Sequence, residues 1–143
     1  MEQKQDIRWL QRFNSFRQAL GRLKEIVNEY EPESLSELEK EGLIQRFEYT
    51  FELSWKMLQD LLKERGYTDI KGPNPTLQQS FKDGYISDHD GWRNMKRGRE
   101  TTSHTYNEGS ATEIVKNIYA EYANLLIELE DTMLKIKAME EGN

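Results

Sequence analysis

Apolar side chains recur every three or four residues along four stretches of this chain, and nothing else in the sequence constrains the fold so tightly. That spacing lines one face of an α-helix. The first stripe holds Trp9, Phe13, Phe16, Leu20, Leu23, Val27 and Tyr30, and Pro32 stops it. A second, from about Ser36 to Arg65, carries Leu43, Phe47, Phe51, Trp55, Leu58 and Leu62, with Gly66 placed to cap its end. After the link "GYTDIKGPNP", Asn74 and Pro75 read as the cap and first position of a short helix reaching about Lys82. The turn-rich "DGYISDHDG" precedes a helix starting near Asp88 to Asp90. The last stripe, Ile114, Ile118, Tyr122, Leu125, Leu129, Met133 and Ile136, follows a capping box in "SATE", Ser110 to Glu113.

No strand alternation, internal repeat or low-complexity tract competes with this pattern. The expectation is an all-α, up-and-down bundle of four to five helices, three long and one or two short, forming a single domain over residues 1–143. Only 36% of the residues are hydrophobic and 32% are charged, so amphipathic helices must surround a narrow core. A packed core is the expected use of the aromatic and leucine stripes, ahead of a cofactor cavity. No apolar run approaches the roughly 18 residues of a membrane span, and "MEQKQDIRWLQRF" lacks the apolar run of a signal peptide. A soluble, cytoplasmic protein without membrane contact is therefore expected. The absence of cysteine removes disulfides, zinc-thiolate sites, Fe–S clusters and thiol catalysis.

The formal charge of −6 argues against bulk capture of nucleic acid. Yet Arg93, Lys96, Arg97 and Arg99 stand together with no acid between them, and without those four the charge would fall to −10. Such a cluster either grips phosphate, by the arginine fork and the lysine point charge, or forms a solvated helix face near a C-terminus. It adjoins "GRETTSHTY", where Arg99, His104 and Tyr106 lie among poor helix formers. In an unbroken helix Arg99 and His104 would point about 140° apart. Thr101, Thr102 and Ser103 weaken the helix there, and a frayed end or turn would gather the three side chains at one exposed spot.

Guanidinium, imidazole and phenol, with no metal-ligand cluster or cofactor in demand, suit phosphodiester transfer in RNA. The imidazole takes the 2′-hydroxyl proton and the guanidinium holds the charge growing on phosphate. A single histidine does not serve both sides of the scissile bond in one step, so a two-fold homodimer bringing a second copy is a mechanistic expectation.

The spacing Arg99-x4-His104-x-Tyr106 resembles the R-x4-H-x-Y signature of the HEPN (higher eukaryote and prokaryote nucleotide-binding) superfamily. "TSHTY" and "FEYTFELSWKMLQDLL" (Phe47 to Leu62) are similar to its nucleotidyltransferase substrate-binding protein branch. The resemblance implies a helical bundle that dimerises around a composite cleft, and a metal-independent endoribonuclease acting as a toxin. It further implies Arg99 and His104 as the catalytic pair and Tyr106 as the residue adenylylated by a partner minimal nucleotidyltransferase. The basic cluster beside them, Arg93, Lys96 and Arg97, is then expected to hold the RNA backbone. Glu100 departs from the Asn, Asp or His common after the arginine in these nucleases, and its charge opposes RNA. The alternative is a non-catalytic subunit presenting nucleotide or substrate to a separate nucleotidyltransferase.

Three further groups carry two readings each. In "SDHD", Asp88 or Asp90 as a helix cap outweighs a metal site. Glu48, Glu52 and Lys56 form a surface ion-pair ladder or part of a partner surface. Trp55 reads as core, and Trp92 covers the core end or stacks a base.

Overall fold

A computed structural model of the chain describes residues 7–104 and 108–142, with Ile7, Ser103, His104 and Glu108 described by backbone alone. The described secondary structure is helical: α1 (Ile7–Glu29), α2 (Glu37–Glu64), α3 (Pro73–Lys82), α4 (His89–His104), α5 (Glu108–Asn117) and α6 (Ala123–Glu141). A 3₁₀ turn at Pro32–Ser34 follows α1, and a π turn at Ile118–Tyr122 joins α5 to α6 in one long rod. The all-α bundle expected from the apolar spacing is the fold observed.

Each boundary has a local cause. Ser36 caps α2 by accepting from the Glu39 amide at 3.1 Å, while Glu39 accepts from the Ser36 amide at 2.8 Å, a reciprocal capping box. Gly66, with φ of 106°, takes the left-handed conformation that follows α2. Two starts differ from expectation. Helix α3 begins at Pro73, with Gly72 ahead of it, so Asn74 is not the cap. The Gly72 amide donates to Gln59 Oε1 on α2 at 2.8 Å, which fixes the chain there and leaves Pro73, needing no donor, as the first helical residue. Helix α5 begins at Glu108, so Ser110 already lies in its first turn.

Helix α2 is central and packs on α1, α3, α4 and α5. Two faces are therefore buried, and the single stripe read from sequence accounts for one. Met57 and Leu61 are fully buried beside Leu58 and Leu62, whereas Trp55 is only half-buried. Trp9, Phe13, Phe16, Leu20 and Leu23 fill the core from α1, and Ile118, Leu126, Leu129 and Met133 fill it from the long rod. Two buried carboxylates are answered by α1. Arg12 Nε donates to Asp60 at 2.8 Å, and Arg17 Nε donates to Glu130 at 3.0 Å.

Helix α4 approaches the long rod through two glycines a heptad apart. A Cβ on Gly91 would stand 3.1 Å from Leu125 Cδ1, and one on Gly98 would stand 2.8 Å from the Tyr122 hydroxyl oxygen. Tyr122 has no room to retreat, because its ring stacks on Phe47 at 5.3 Å. Gly98→Ala sets a gain of about 1 kcal/mol in helix propensity against an overpacking cost of about 1–3 kcal/mol. The expected result is a net loss of about 1 kcal/mol in urea unfolding, and a stabilised variant would refute the close approach.

Candidate functional site

The Arg93–His104 region of α4 does not fray. Thr101 Oγ1 donates to the Arg97 carbonyl at 3.0 Å and Thr102 Oγ1 donates to the Arg99 carbonyl at 2.7 Å. The hydroxyls bond back onto their own helix, and α4 stays helical through His104. The break expected between Arg99 and His104 is therefore absent, and their register positions stand about 140° apart. The side chain of His104 and all of Tyr106 lie outside the described residues.

The four cations of α4 divide between two faces. Arg99 faces α2, where its Nη1 lies 3.5 Å from Glu48 Oε2. The Thr102 hydroxyl shares its one proton between the Arg99 carbonyl and the same carboxylate. Arginine and glutamate are each 25% exposed at the side chain, so the pair is shielded yet reachable. On the other face Arg93 and Arg97 are exposed. Arg93 lies 3.9 Å from Asp90, and Arg97 donates to Asn94 Oδ1 at 3.1 Å. The register position of His104 falls within about 20° of both Arg93 and Arg97. Lys96 pairs with Glu100 one turn on. Carboxylates thus answer part of the basic cluster.

Next to Arg97 a groove of about 400 Å³ runs between α4 and the α5–π segment, with Asn94, Gly98, Asn117 and Tyr122 among its walls. In the π turn the Ala123 amide donates to the Ile118 carbonyl five residues back, the widened pattern that often accompanies functional sites. Two tyrosines leave the turn in different directions. Tyr119 donates to the Tyr30 carbonyl at 2.9 Å, and Tyr122 donates to the Asn94 carbonyl at 3.2 Å. Burial pushes the Tyr122 phenol above its ordinary range and the charge of Glu121 adds to the shift. The hydroxyl accordingly remains a donor at neutral pH.

Asp88 caps α4, accepting from the Gly91 amide at 2.8 Å, and His89 stacks on Phe81 at 5.0 Å. Trp92 is 2% exposed with its ring 6.3 Å from Phe51, so it covers the core and is not presented to a base. The Glu48, Glu52 and Lys56 series is not a simple ladder. Glu48 reaches α4, while Glu52 accepts from Trp55 Nε1 at 3.2 Å and Lys56 lies over the Trp55 ring at 5.9 Å. The pairing of Glu48 with Arg99 carries no signal in the sequence, since no local spacing connects residues 51 positions apart. Among the described residues, no helix is long and apolar enough to cross a membrane.

A family model described as nucleotidyltransferase substrate binding protein like matches residues 11–135. A Haemophilus influenzae protein described as a probable ribonuclease HepT is 34% identical over 91 residues. That match covers 61% of this chain and 60% of the relative, so less than two thirds of the curated relative's length is spanned. A solved structure from Thermus thermophilus superposes with a TM-score of 0.70 at 34% identity, covering 80% of this chain and 94% of the other. Sequence spacing, helical order and a family match over residues 11–135 converge, and the chain belongs to the nucleotidyltransferase substrate binding protein-like family, the HEPN branch that its Arg99-x4-His104-x-Tyr106 spacing resembles.

Proposed function

We propose that this protein is a HEPN-type toxin subunit, a metal-independent RNA endonuclease acting in the cytoplasm as a homodimer of single-domain protomers. A partner small nucleotidyltransferase neutralises it by adenylylating Tyr106. The observation that carries the reading is the Arg99-x4-His104 run on one unbroken helix, its arginine held against Glu48 at 3.5 Å and its flank lined by exposed Arg93 and Arg97. The relative described as a probable ribonuclease supports the same reaction class.

The chemistry follows from the residue types. An imidazole titrates near neutral pH and suits proton transfer there. His104 of one protomer takes the 2′-hydroxyl proton as O2′ attacks phosphorus, and the partner's His104 protonates the departing 5′-oxygen. The products are a 2′,3′-cyclic phosphate and a free 5′-hydroxyl. Arg99 stabilises the charge that builds on the non-bridging oxygens, while Arg93, Lys96 and Arg97 hold the backbone. The roughly 140° between Arg99 and His104 on one helix suits a composite site better than a self-contained one, since a second helix facing the first brings the missing group. Adenylylation joins the Tyr106 phenolic oxygen to the α-phosphorus of ATP and releases pyrophosphate. It places a bulky anion beside a cleft that receives phosphate.

A second reading draws support from the carboxylates that answer Arg99 and Lys96, which weaken the field offered to a long polyanion. Under it the protein is a nucleotide- or substrate-binding subunit of a two-component nucleotidyltransferase. Incubating purified protein with RNA in the presence of a chelator separates the two. Cleavage to cyclic-phosphate ends, silenced after co-expression with the nucleotidyltransferase and accompanied by whole AMP units on Tyr106, is the expected result. Intact RNA together with measurable nucleotide binding would establish the second reading in its place.

A further inference from the structure

The groove beside Arg97 is lined mainly by groups that have no part in phosphate chemistry. Its volume of about 400 Å³ lies within the range of small-ligand clefts and accommodates one nucleoside. Two carboxylates, Glu113 and Glu121, face it against one guanidinium, that of Arg97. Phosphate is repelled from such an interior and held only at the rim, where Arg97 is exposed. Such an interior favours a group that donates hydrogen bonds and carries no negative charge. Gly98, lacking a Cβ, and the ring of Tyr122 that lies against it give the cleft a flat, fixed floor. The Tyr122 hydroxyl donates to the Asn94 carbonyl at 3.2 Å and is also bonded to the Asn117 side chain, which holds that floor and the asparagine in place. The register position of His104 is two turns further along the face that carries Arg97.

We infer that this groove between α4 and the α5–π segment is a nucleoside subsite, reading the base next to the scissile phosphate and favouring bases that carry an amino group. The inference rests on the nuclease reading for the word scissile, but the groove's chemistry stands apart from it. Carboxylate oxygens accept from exocyclic amines, and asparagine pairs with a base edge through both of its amide groups. Guanine, adenine and cytosine each present an amine to Glu113, Glu121 and Asn117. Uracil offers the carboxylates only its imino N–H, flanked by two carbonyls that repel them, and no exocyclic amine. Single-stranded RNA is read in this way, by unstacked bases whose edges reach side chains. Arg97 at the rim takes the phosphate attached to the bound nucleoside.

Calorimetric titration of the full chain with GMP, AMP, CMP, UMP and inorganic phosphate tests the subsite directly. The amino-bearing nucleotides are expected to bind about tenfold more tightly than UMP, with Glu113→Ala and Asn117→Ala each removing most of that difference. Sequencing of RNA cut ends should show the same base preference next to the cut, flattened in both variants. Equal affinity for UMP, a preference unchanged in the variants, or inorganic phosphate binding as well as GMP would each overturn the subsite. Should RNA remain intact while GMP binds through Glu113, the nuclease reading falls and the subsite stands. Cleavage without any nucleotide discrimination has the opposite meaning.

Discussion

His104→Ala is expected to slow RNA cleavage by about 10²–10⁴-fold, the usual worth of a positioned acid–base group. In the proposed dimer the substitution removes both imidazoles together, so the loss should sit at the upper end. Arg99→Ala should cost about 10²–10³-fold, as for other donors aimed at a developing oxyanion. Arg99→Lys should recover only part of this, because a point charge replaces a planar fork. The wild-type rate should trace a bell against pH, since one imidazole must be free and the other protonated. Equal cleavage by wild type and His104→Ala would remove the catalytic assignment. Retention of the wild-type melting temperature in His104→Ala shows that any lost activity is not lost fold.

Phe47→Ala is expected to have the largest effect on stability. Phe47 is fully buried, its ring stacked on Tyr122 at 5.3 Å and close to Phe51 at 6.4 Å. Truncating a core phenylalanine costs about 3–5 kcal/mol through lost transfer energy and the cavity left behind. For a chain of this length that corresponds to a fall of roughly 10–20 °C in Tm. The cavity would open at a junction. The residue after Phe47 holds Arg99, and Tyr122 floors the α4–α5 groove, so one truncation loosens supports on both faces of α4. Phe47→Leu, which keeps most of the volume, should cost far less. A fall of under about 3 °C for Phe47→Ala would mean that the surrounding helices close over the gap.

The apolar spacing made the helices legible because each stripe is a local record of which face is covered. Ser36, Gly66 and Asp88 could be placed for the same reason, since their roles depend on neighbours a few residues away. Interactions between helices left no such record. Nothing near Gly72 announces that Gln59 will hold its amide, and so the start of α3 was displaced. Met57 and Leu61 fall outside the second stripe because α2 is enclosed on two sides, a matter of topology and not of period. The threonines after Arg99 carry low helix propensity, yet the Arg97 and Arg99 carbonyls and Glu48 engage them and the helix persists. In the site, residue types and spacing pointed to Arg99, His104 and the cations beside them. The Glu48 contact and the groove walls come from segments far apart in the chain.

The π turn works as a phase shifter in the longest rod. One surplus residue between Ile118 and Tyr122 rotates everything after it by about 100° relative to everything before it. Downstream of that offset Glu130 meets Arg17 at 3.0 Å and Lys24 at 3.6 Å. Upstream, Ala111, Ile114 and Val115 face the core. Deleting a single residue from the turn would let it rewind as ordinary helix, and the two halves would then seek their partners out of step. The number of residues at this point, more than their identity, therefore sets how the C-terminal half docks, and losing one here would leave the two halves in incompatible registers.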